Sequence, residues 1–268
     1  MKTKSVRELS IQISLSGLSF CIIDSSLNRV EFLKSENFEN KQTPESLLGK
    51  MKTIFDTHSI FESGFQSVIC IHQNELNCLV PKDYFDDKHL AEYLKFNAKI
   101  LKTDFISYDK VECISAYNVY VPLININNLI FEKFGSFTYK HSASVLIESV
   151  VSTANATNKN LVVHINTNTF ELLFLEDKKL RFYNIFQYYT PEDFMYYLLF
   201  SIEQLALDTE TVKLYLIGKI EEDSKLFRLI YKYVRCVEIM AFEPSSNISG
   251  IELIGRPQNH FLIFNSFN

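Results

Sequence analysis

Tryptophan is missing altogether from the 268 residues, and glycine occurs only 7 times. Glycine closes backbone N–H groups around a phosphate, because it takes positive φ freely and allows close backbone approach. So little glycine argues against a rich nucleotide loop. G-x-x-x-x-G-K-[ST], G-x-G-x-x-G and G-x-S-x-G are all absent. Positive charge is also short: 27 Lys and Arg stand against 32 Asp and Glu, a net charge of -5. No Lys/Arg run forms a phosphate-tracking stripe, so sequence-independent nucleic-acid binding is not expected, leaving only a local basic patch made by the fold. No apolar run reaches the roughly 18 residues of a membrane span. "MKTKSVRELSIQISL" has charges but no apolar h-region. A soluble, cytoplasmic chain is expected. The five cysteines are odd in number and form no C-x-x-C. They are expected as reduced, mostly buried thiols. No H-x-x-x-H or H-E-x-x-H occurs. Cys70 and His72 lie two apart on a strand, as do Cys236 and Glu238, but without a second close pair no metal site is expected.

What is present is apolar and aromatic: 47% of the residues are hydrophobic, with 23 Phe and 14 Tyr. That composition can bury a substantial core. "ELSIQISLSGLSFCIIDSSLNRVEFLKSENF" alternates polar and apolar residues and breaks at Ser16-Gly17 and at Asp24-Ser25-Ser26. The period of two predicts three antiparallel strands. "TPESLLGKMKTIF" follows, with Thr43 as N-cap, Pro44 at the first helical position and Glu45 at the positive helix end. The second half repeats the order. "NLVVHINTNTFELLFLEDKKLRFYNIF" predicts three more strands, and "TPEDFMYYLLFSIEQLAL" starts a helix at Thr190-Pro191-Glu192. Order and spacing make this an expected internal duplication.

After the second helix come a strand, "TVKLYLIGK", an amphipathic helix, "DSKLFRLIYKYV", and a strand, "CVEIMAF". The second half therefore reads β-β-β-α-β-α-β. In the first half "SVICIH" fits the fourth strand, "FTYKH" the fifth, and "SASVLIESVVSTAN" a helix ending the lobe. Residues 73–135 are expected as an inserted subdomain, with a helix near Asp86 to Ala98, strands, and the apolar segment "LININNLIFEKF". The polar "STANATNKN" sets the expected division: a first lobe over 1–154 and a second over 155–268 with a C-terminal tail. Strand-like pieces are expected in that tail at Ile251–Leu253 and Phe261–Phe264.

Three antiparallel strands followed by helix-strand-helix-strand, twice over, resembles the duplicated ribonuclease H-like fold of the actin, sugar kinase and heat-shock ATPase superfamily. The run "LSIQISLSGLSFCIID" also looks like a family of Bacteroidota proteins that share this actin-like fold without an assigned activity. The resemblance implies an ATP site between two lobes. It would be built on a first meander turn D-x-G-T, a second D-x-G turn, and a glycine pair against adenosine. In such sites carboxylates organise a metal and glycines let backbone N–H groups reach phosphate. Here Ser14 falls on the first Asp position, Ser16 on the first Gly position, and Gly17 one place late. Asn166 stands where the second Asp would be, Asn168 and Thr169 replace glycines, and Gly218 is followed by Lys219. Asp24 and Asp177 lie at the opposite hairpin turns. Ser14, Ser16, Gly17, Asn166, Asn168 and Gly218 are thus the candidate residues of a degenerate nucleotide cleft.

The acidic run "DYFDDKHLAEYL" is expected to be a capped, solvated helix start. His164 and Gln12 occupy matching strand positions and are expected as satisfied structural residues. The aromatic groups "FQYYTPEDFMYYLLF" and "FRLIYKYV" are expected in packing; any exposed tyrosines would suit a protein partner. The expected function is a non-catalytic binding or scaffold protein with an unidentified protein partner and no cofactor. The alternative is an ATP-binding protein or kinase-like enzyme with an unusual cleft.

Overall fold

The computed structural model describes residues 6–96, 98–153, 159–240 and 257–267. It divides into two compact units. One runs through Leu146 and takes in the described residues from Leu262 onward; the other covers Ile147 to Met240 with Pro257 to Phe261. The division falls inside a helix rather than in the polar stretch after it, and the chain's last segment is shared between the units.

The first unit opens with the meander β1 (Arg7–Ser14), β2 (Gly17–Asp24) and β3 (Arg29–Asn37). Helix α1 (Pro44–Thr57) follows, with the Thr43 side chain accepting the Ser46 N–H. Strand β4 (Ser67–His72) runs parallel to β1, and β8 (Thr138–His141) parallel to β4, in the order β3-β2-β1-β4-β8. Between them lie β5 (Asn77–Pro81), α2 (Leu90–Leu94), β6 (Ser107–Val111), β7 (Ala116–Tyr120) and α3 (Ile124–Phe134), and α4 (Ser142–Thr153) leaves β8. One face of the sheet, through Leu9, Ile11, Ile13, Phe20 and Cys70, packs on Leu47, Met51 and Phe55 of α1 and on Ile126 and Ile130 of α3. Phe20, Phe55 and Phe61 meet edge to face at centroid distances of 5.1–5.8 Å, the arrangement that ring quadrupoles favour. On the other face Cys21, Ile23 and Val30 cover Ile263 of the short helix α7 (Phe261–Phe264), and the Ser10 and Ser266 hydroxyls are 2.9 Å apart.

The second unit repeats the order: β9 (Asn160–Ile165), β10 (Thr169–Glu176), β11 (Lys179–Gln187), α5 (Pro191–Gln204), β12 (Lys213–Gly218), α6 (Lys225–Tyr233) and β13 (Cys236–Ile239). Its sheet runs β11-β10-β9-β12-β13, the first sheet's pattern element for element. The match reaches single residues: β2 shifts register between Ile22 and Ile23, and β10 shifts at the same place, between Phe174 and Leu175. Thr190 forms a full capping box with Asp193 at the start of α5.

Three expectations need correction. The extra elements after β4 end before α3, so the inserted subdomain stops short of residue 135. Helix α3 occupies the crossover between β4 and β8, as α6 does between β12 and β13. The Asn-rich sequence and uncapped start at Leu123 disguise it, yet Ile126 and Ile130 are fully buried. The helix expected over Asp86 to Ala98 is a 3₁₀ turn, Asp87–His89, continued by the short α2. Phe261–Phe264 is helical, not a strand, and Ile251–Leu253 lies outside the described residues. The five cysteines are free; Cys21 and Cys70 are buried, whereas Cys113 and Cys236 are exposed.

The inserted sheet, in the order β5-β7-β6, is antiparallel. One face holds a small core of Val80 and Val119 against Leu94 of α2. Its other face carries Asn118, Tyr120 and Asp109 against the start of α4.

Candidate functional site

In open α/β sheets ligands sit beyond the carboxyl ends of the parallel strands. In the first unit those ends are Ser14 on β1, His72 on β4 and His141 on β8, and the register sets them in a row. Ser14 closes the two-residue turn at Leu15 and Ser16. Its hydroxyl donates to the Gly17 carbonyl at 3.2 Å and accepts the Ser16 N–H at 3.2 Å. The Ser16 carbonyl accepts the Phe38 N–H and the Leu15 carbonyl the Gln42 N–H. A turn that grips phosphate must present free N–H groups; the Ser16 N–H is spent on the turn itself. Gly17 has a separate reason to be glycine: a Cβ there would lie 2.8 Å from the Glu36 carbonyl oxygen on β3.

The neighbouring strand ends are occupied too. His72 accepts the Leu123 N–H on Nδ1 and meets the Asn127 Oδ1 through Nε2 at 2.8 Å. His141 accepts the Ala143 N–H on Nδ1, and its Nε2 is 3.1 Å from the Asn74 carbonyl. Both patterns require the tautomer with the proton on Nε2. Both rings are fully buried, and burial pushes the His72 pKa down to about 3. These are neutral histidines pinning the roots of the insertion. Beside them the Asp109 carboxylate accepts from the His141 N–H, the Ser144 hydroxyl and the Tyr120 hydroxyl at 2.7, 2.6 and 3.0 Å. Burial raises the Asp109 pKa to about 6 against those three donors.

In the second unit the turn between β9 and β10 carries Asn166, Thr167 and Asn168. The Asn166 carbonyl accepts the Tyr188 hydroxyl at 2.7 Å, and the Asn166 N–H donates to the Thr169 carbonyl at 2.9 Å. The Asn168 carbonyl accepts the Tyr188 N–H. Gly218 ends β12 beside this turn with φ of +90°, and a Cβ there would lie 2.3 Å from the Ile165 carbonyl oxygen. Lys219 follows, its ammonium donating to the Thr167 hydroxyl at 2.8 Å. The Asn166 side-chain nitrogen, Nδ2, is buried without a partner. Nearby residues Ile220, Glu221, Glu222, Asp223, Ile239, Met240 and Gln258 line a hollow of about 480 Å³ with three carboxylates on its wall.

The structure thus brings Ser14, Ser16 and Gly17 into one turn, and Asn166, Asn168 and Gly218 to one corner of the second unit. No carboxylate replaces the missing pair in either turn. Asp24 is buried at the opposite hairpin end, accepting from the Ser26 N–H and hydroxyl and the Leu27 N–H. Asp177 and Lys178 take positive φ in the corresponding turn of the second unit. Among the described residues no group of three His, Cys, Asp or Glu side chains is placed to hold a metal ion. The Asp109 cluster is not legible in the sequence, because its members come from three separate segments. The Lys219–Thr167 contact has one signal in the sequence, the adjacency of Lys219 to Gly218.

His164, expected as structural, pairs with Glu171 at 2.7 Å in the core of the second sheet, and Tyr183 donates to the other Glu171 oxygen at 2.9 Å. Its counterpart Gln12 donates to the Gln73 side-chain oxygen at 2.8 Å.

Comparison with solved structures places the fold. A Bacteroides thetaiotaomicron protein with an actin-like ATPase fold and unknown function superposes with a TM-score of 0.79 at 18% identity, over 88% of this chain and 91% of that one. A chain of a PilM-PilN type IV pilus biogenesis complex gives 0.63 at 12% identity, over 97% of each. At such identities the likeness speaks for the fold: a duplicated ribonuclease H-like, actin-like architecture. Among curated proteins none matches the sequence. Among the described residues no helix is long and apolar enough to cross a membrane. Residues 1–237 match the model of the family described as "Protein of unknown function (DUF3822)", and the chain belongs to that family.

Proposed function

We propose that this protein is a non-catalytic, cytoplasmic binding or scaffold protein that keeps an actin-like fold for its surfaces. The observation that carries the reading is the state of the two turns. Ser14 and Asn166 stand where metal-organising carboxylates belong, and the Ser14 hydroxyl, the Ser16 N–H and the backbone groups of Asn166 bond within the protein. Without a held Mg²⁺, the single ammonium of Lys219 is too little to neutralise a triphosphate, and the carboxylates of Glu221, Glu222 and Asp223 oppose it. Hydrolysis, which needs that charge neutralisation in its transition state, has no machinery here.

The partner is a protein. The inserted subdomain displays large apolar side chains: Tyr84 is 77% and Phe96 84% exposed, with Leu101 and Phe105 also outward. Large apolar and aromatic side chains left exposed are the residue types from which interaction surfaces are built. The similar PilM-PilN chain is itself part of a protein complex. The test is capture of partners from the protein's own cells with the full chain and with the Tyr84→Ser, Phe96→Ser variant. One reproducible partner lost with that variant, while melting is unchanged, is the expected result. Partners retained undiminished would remove the insertion from the reading.

A second reading has one specific observation behind it. Lys219, Thr167 and the unpartnered Asn166 amide share a corner, which suits residual binding of ATP or another anion. That reading requires stabilisation by nucleotide that Asn166→Ala removes.

A further inference from the structure

Helices α5 and α6 pack side by side on one face of the second sheet, with Phe194, Leu198 and Ile202 of α5 and Ile230 of α6 in a shared core. Their outward ridges are unusual. The crest of a surface helix is ordinarily polar. On α5 the crest carries Tyr196, 64% exposed, and Phe200, 47% exposed, stacked one turn apart with ring planes 13° from parallel. Glu192 and Glu203 are exposed on the same side. On α6 the crest carries Tyr231, 59% exposed, with Lys225, Arg228 and Lys232 outward and no acidic residue in the helix. None of these five charged side chains makes an ion pair among the described residues.

An acidic aromatic ridge therefore lies beside a basic aromatic ridge, in a chain whose net charge is -5. The complement of such a surface has the same two ridges exchanged. A two-fold axis through the groove between the helices supplies that from a second copy, because in an isologous contact each ridge of one subunit meets the other ridge of its partner. We propose that the α5–α6 face is a homodimer interface. Glu192 and Glu203 of each copy pair with Lys225, Arg228 and Lys232 of the other. Tyr196, Phe200 and Tyr231 form the apolar centre, where aromatic anchors contribute most. A polyanion such as nucleic acid meets the basic ridge but is repelled by the acidic one beside it. The inference does not depend on whether the candidate turns bind nucleotide.

Sedimentation of the full chain over a wide concentration range tests it, with two charge-reversed variants: Arg228→Glu with Lys232→Glu, and Glu192→Lys with Glu203→Lys. The wild type should form a dimer that weakens at high salt. Each variant alone should dimerise about tenfold more weakly or worse, because both contacts become like-charged. The two variants mixed should pair with each other, since the mixture restores opposite charge at both contacts. Far-UV circular dichroism and melting check that each variant folds; if either double variant does not, Arg228→Glu and Glu203→Lys serve singly in the same mixing design. Tyr196→Ser with Phe200→Ser should abolish the dimer while leaving the far-UV circular dichroism unchanged. A wild type that stays monomeric throughout, or a dimer indifferent to both reversals, would overturn the proposal, as would folded variants that do not pair when mixed.

Discussion

Gly218 is held by two independent constraints, a φ of +90° and a Cβ position 2.3 Å from the Ile165 carbonyl oxygen. Gly218→Ala should cost about 2–4 kcal/mol in denaturant unfolding, combining left-handed strain with a backbone clash. Gly49, exposed in α1 with open space around its Cα, is the control. Gly49→Ala should stabilise by about 0.5–1 kcal/mol. The buried His164–Glu171 pair makes a second residue-scale prediction. Glu171→Ala leaves the buried His164 without its hydrogen-bond partner and should cost about 1–3 kcal/mol. Tyr183→Phe removes only one hydrogen bond to Glu171 and should cost about 1 kcal/mol. At this scale the sequence was informative about what the site lacks. Ser14 and Asn166 were recognisable as the wrong residues for a metal, because the chemistry needs charge there. It was silent on why Gly17 is glycine, since the close approach of Glu36 comes from strand pairing.

Among the elements, the inserted sheet is joined to the start of α4 by a polar seam centred on Asp109. A carboxyl whose folded pKa is about 6, raised from 3.8, binds its proton more tightly folded than unfolded. Its contribution to stability is therefore full below about pH 4 and declines as pH rises through 6. The stability of wild type minus that of Asp109→Asn should be more positive at pH 4 than at pH 7, by about 2–3 kcal/mol, because only the wild type loses stability as the carboxyl ionises. Equal differences at the two pH values would show that Asp109 is not desolvated. The helix caps give a smaller effect. Thr190→Ala breaks a reciprocal capping box and should cost about 1 kcal/mol of unfolding free energy, more than Thr43→Ala, where the side chain accepts the Ser46 N–H without the reciprocal bond. Both caps were legible because threonine, proline and an acid occur in helix-start order. Helix α3 was not, because Leu123 offers no side-chain cap and the Asn-rich sequence hides the buried Ile126 and Ile130.

For the whole molecule, the two β-β-β-α-β-α-β units share strand order, helix placement and even the register shift in the second strand. That much followed from the alternation and order of segments, which periodicity reports well. The polar network at the strand ends did not, since His72, Asp109, Asn127 and His141 are scattered in sequence and meet only through the fold. The consequence for function is that the place where this fold ordinarily meets a ligand is filled, in the first unit, by the protein's own hydrogen bonds. The most direct test is the melting temperature of the full chain with Mg-ATP, Mg-ADP and Mg-GTP at millimolar concentration. A ligand bound with Kd of about 10 µM would stabilise the fold by about 2.7 kcal/mol at about 1 mM, a rise of several degrees. The expected result is no shift with any of the three. A reproducible rise that Ser14→Ala or Asn166→Ala abolishes would contradict the scaffold-only reading and restore these turns as a nucleotide-binding site.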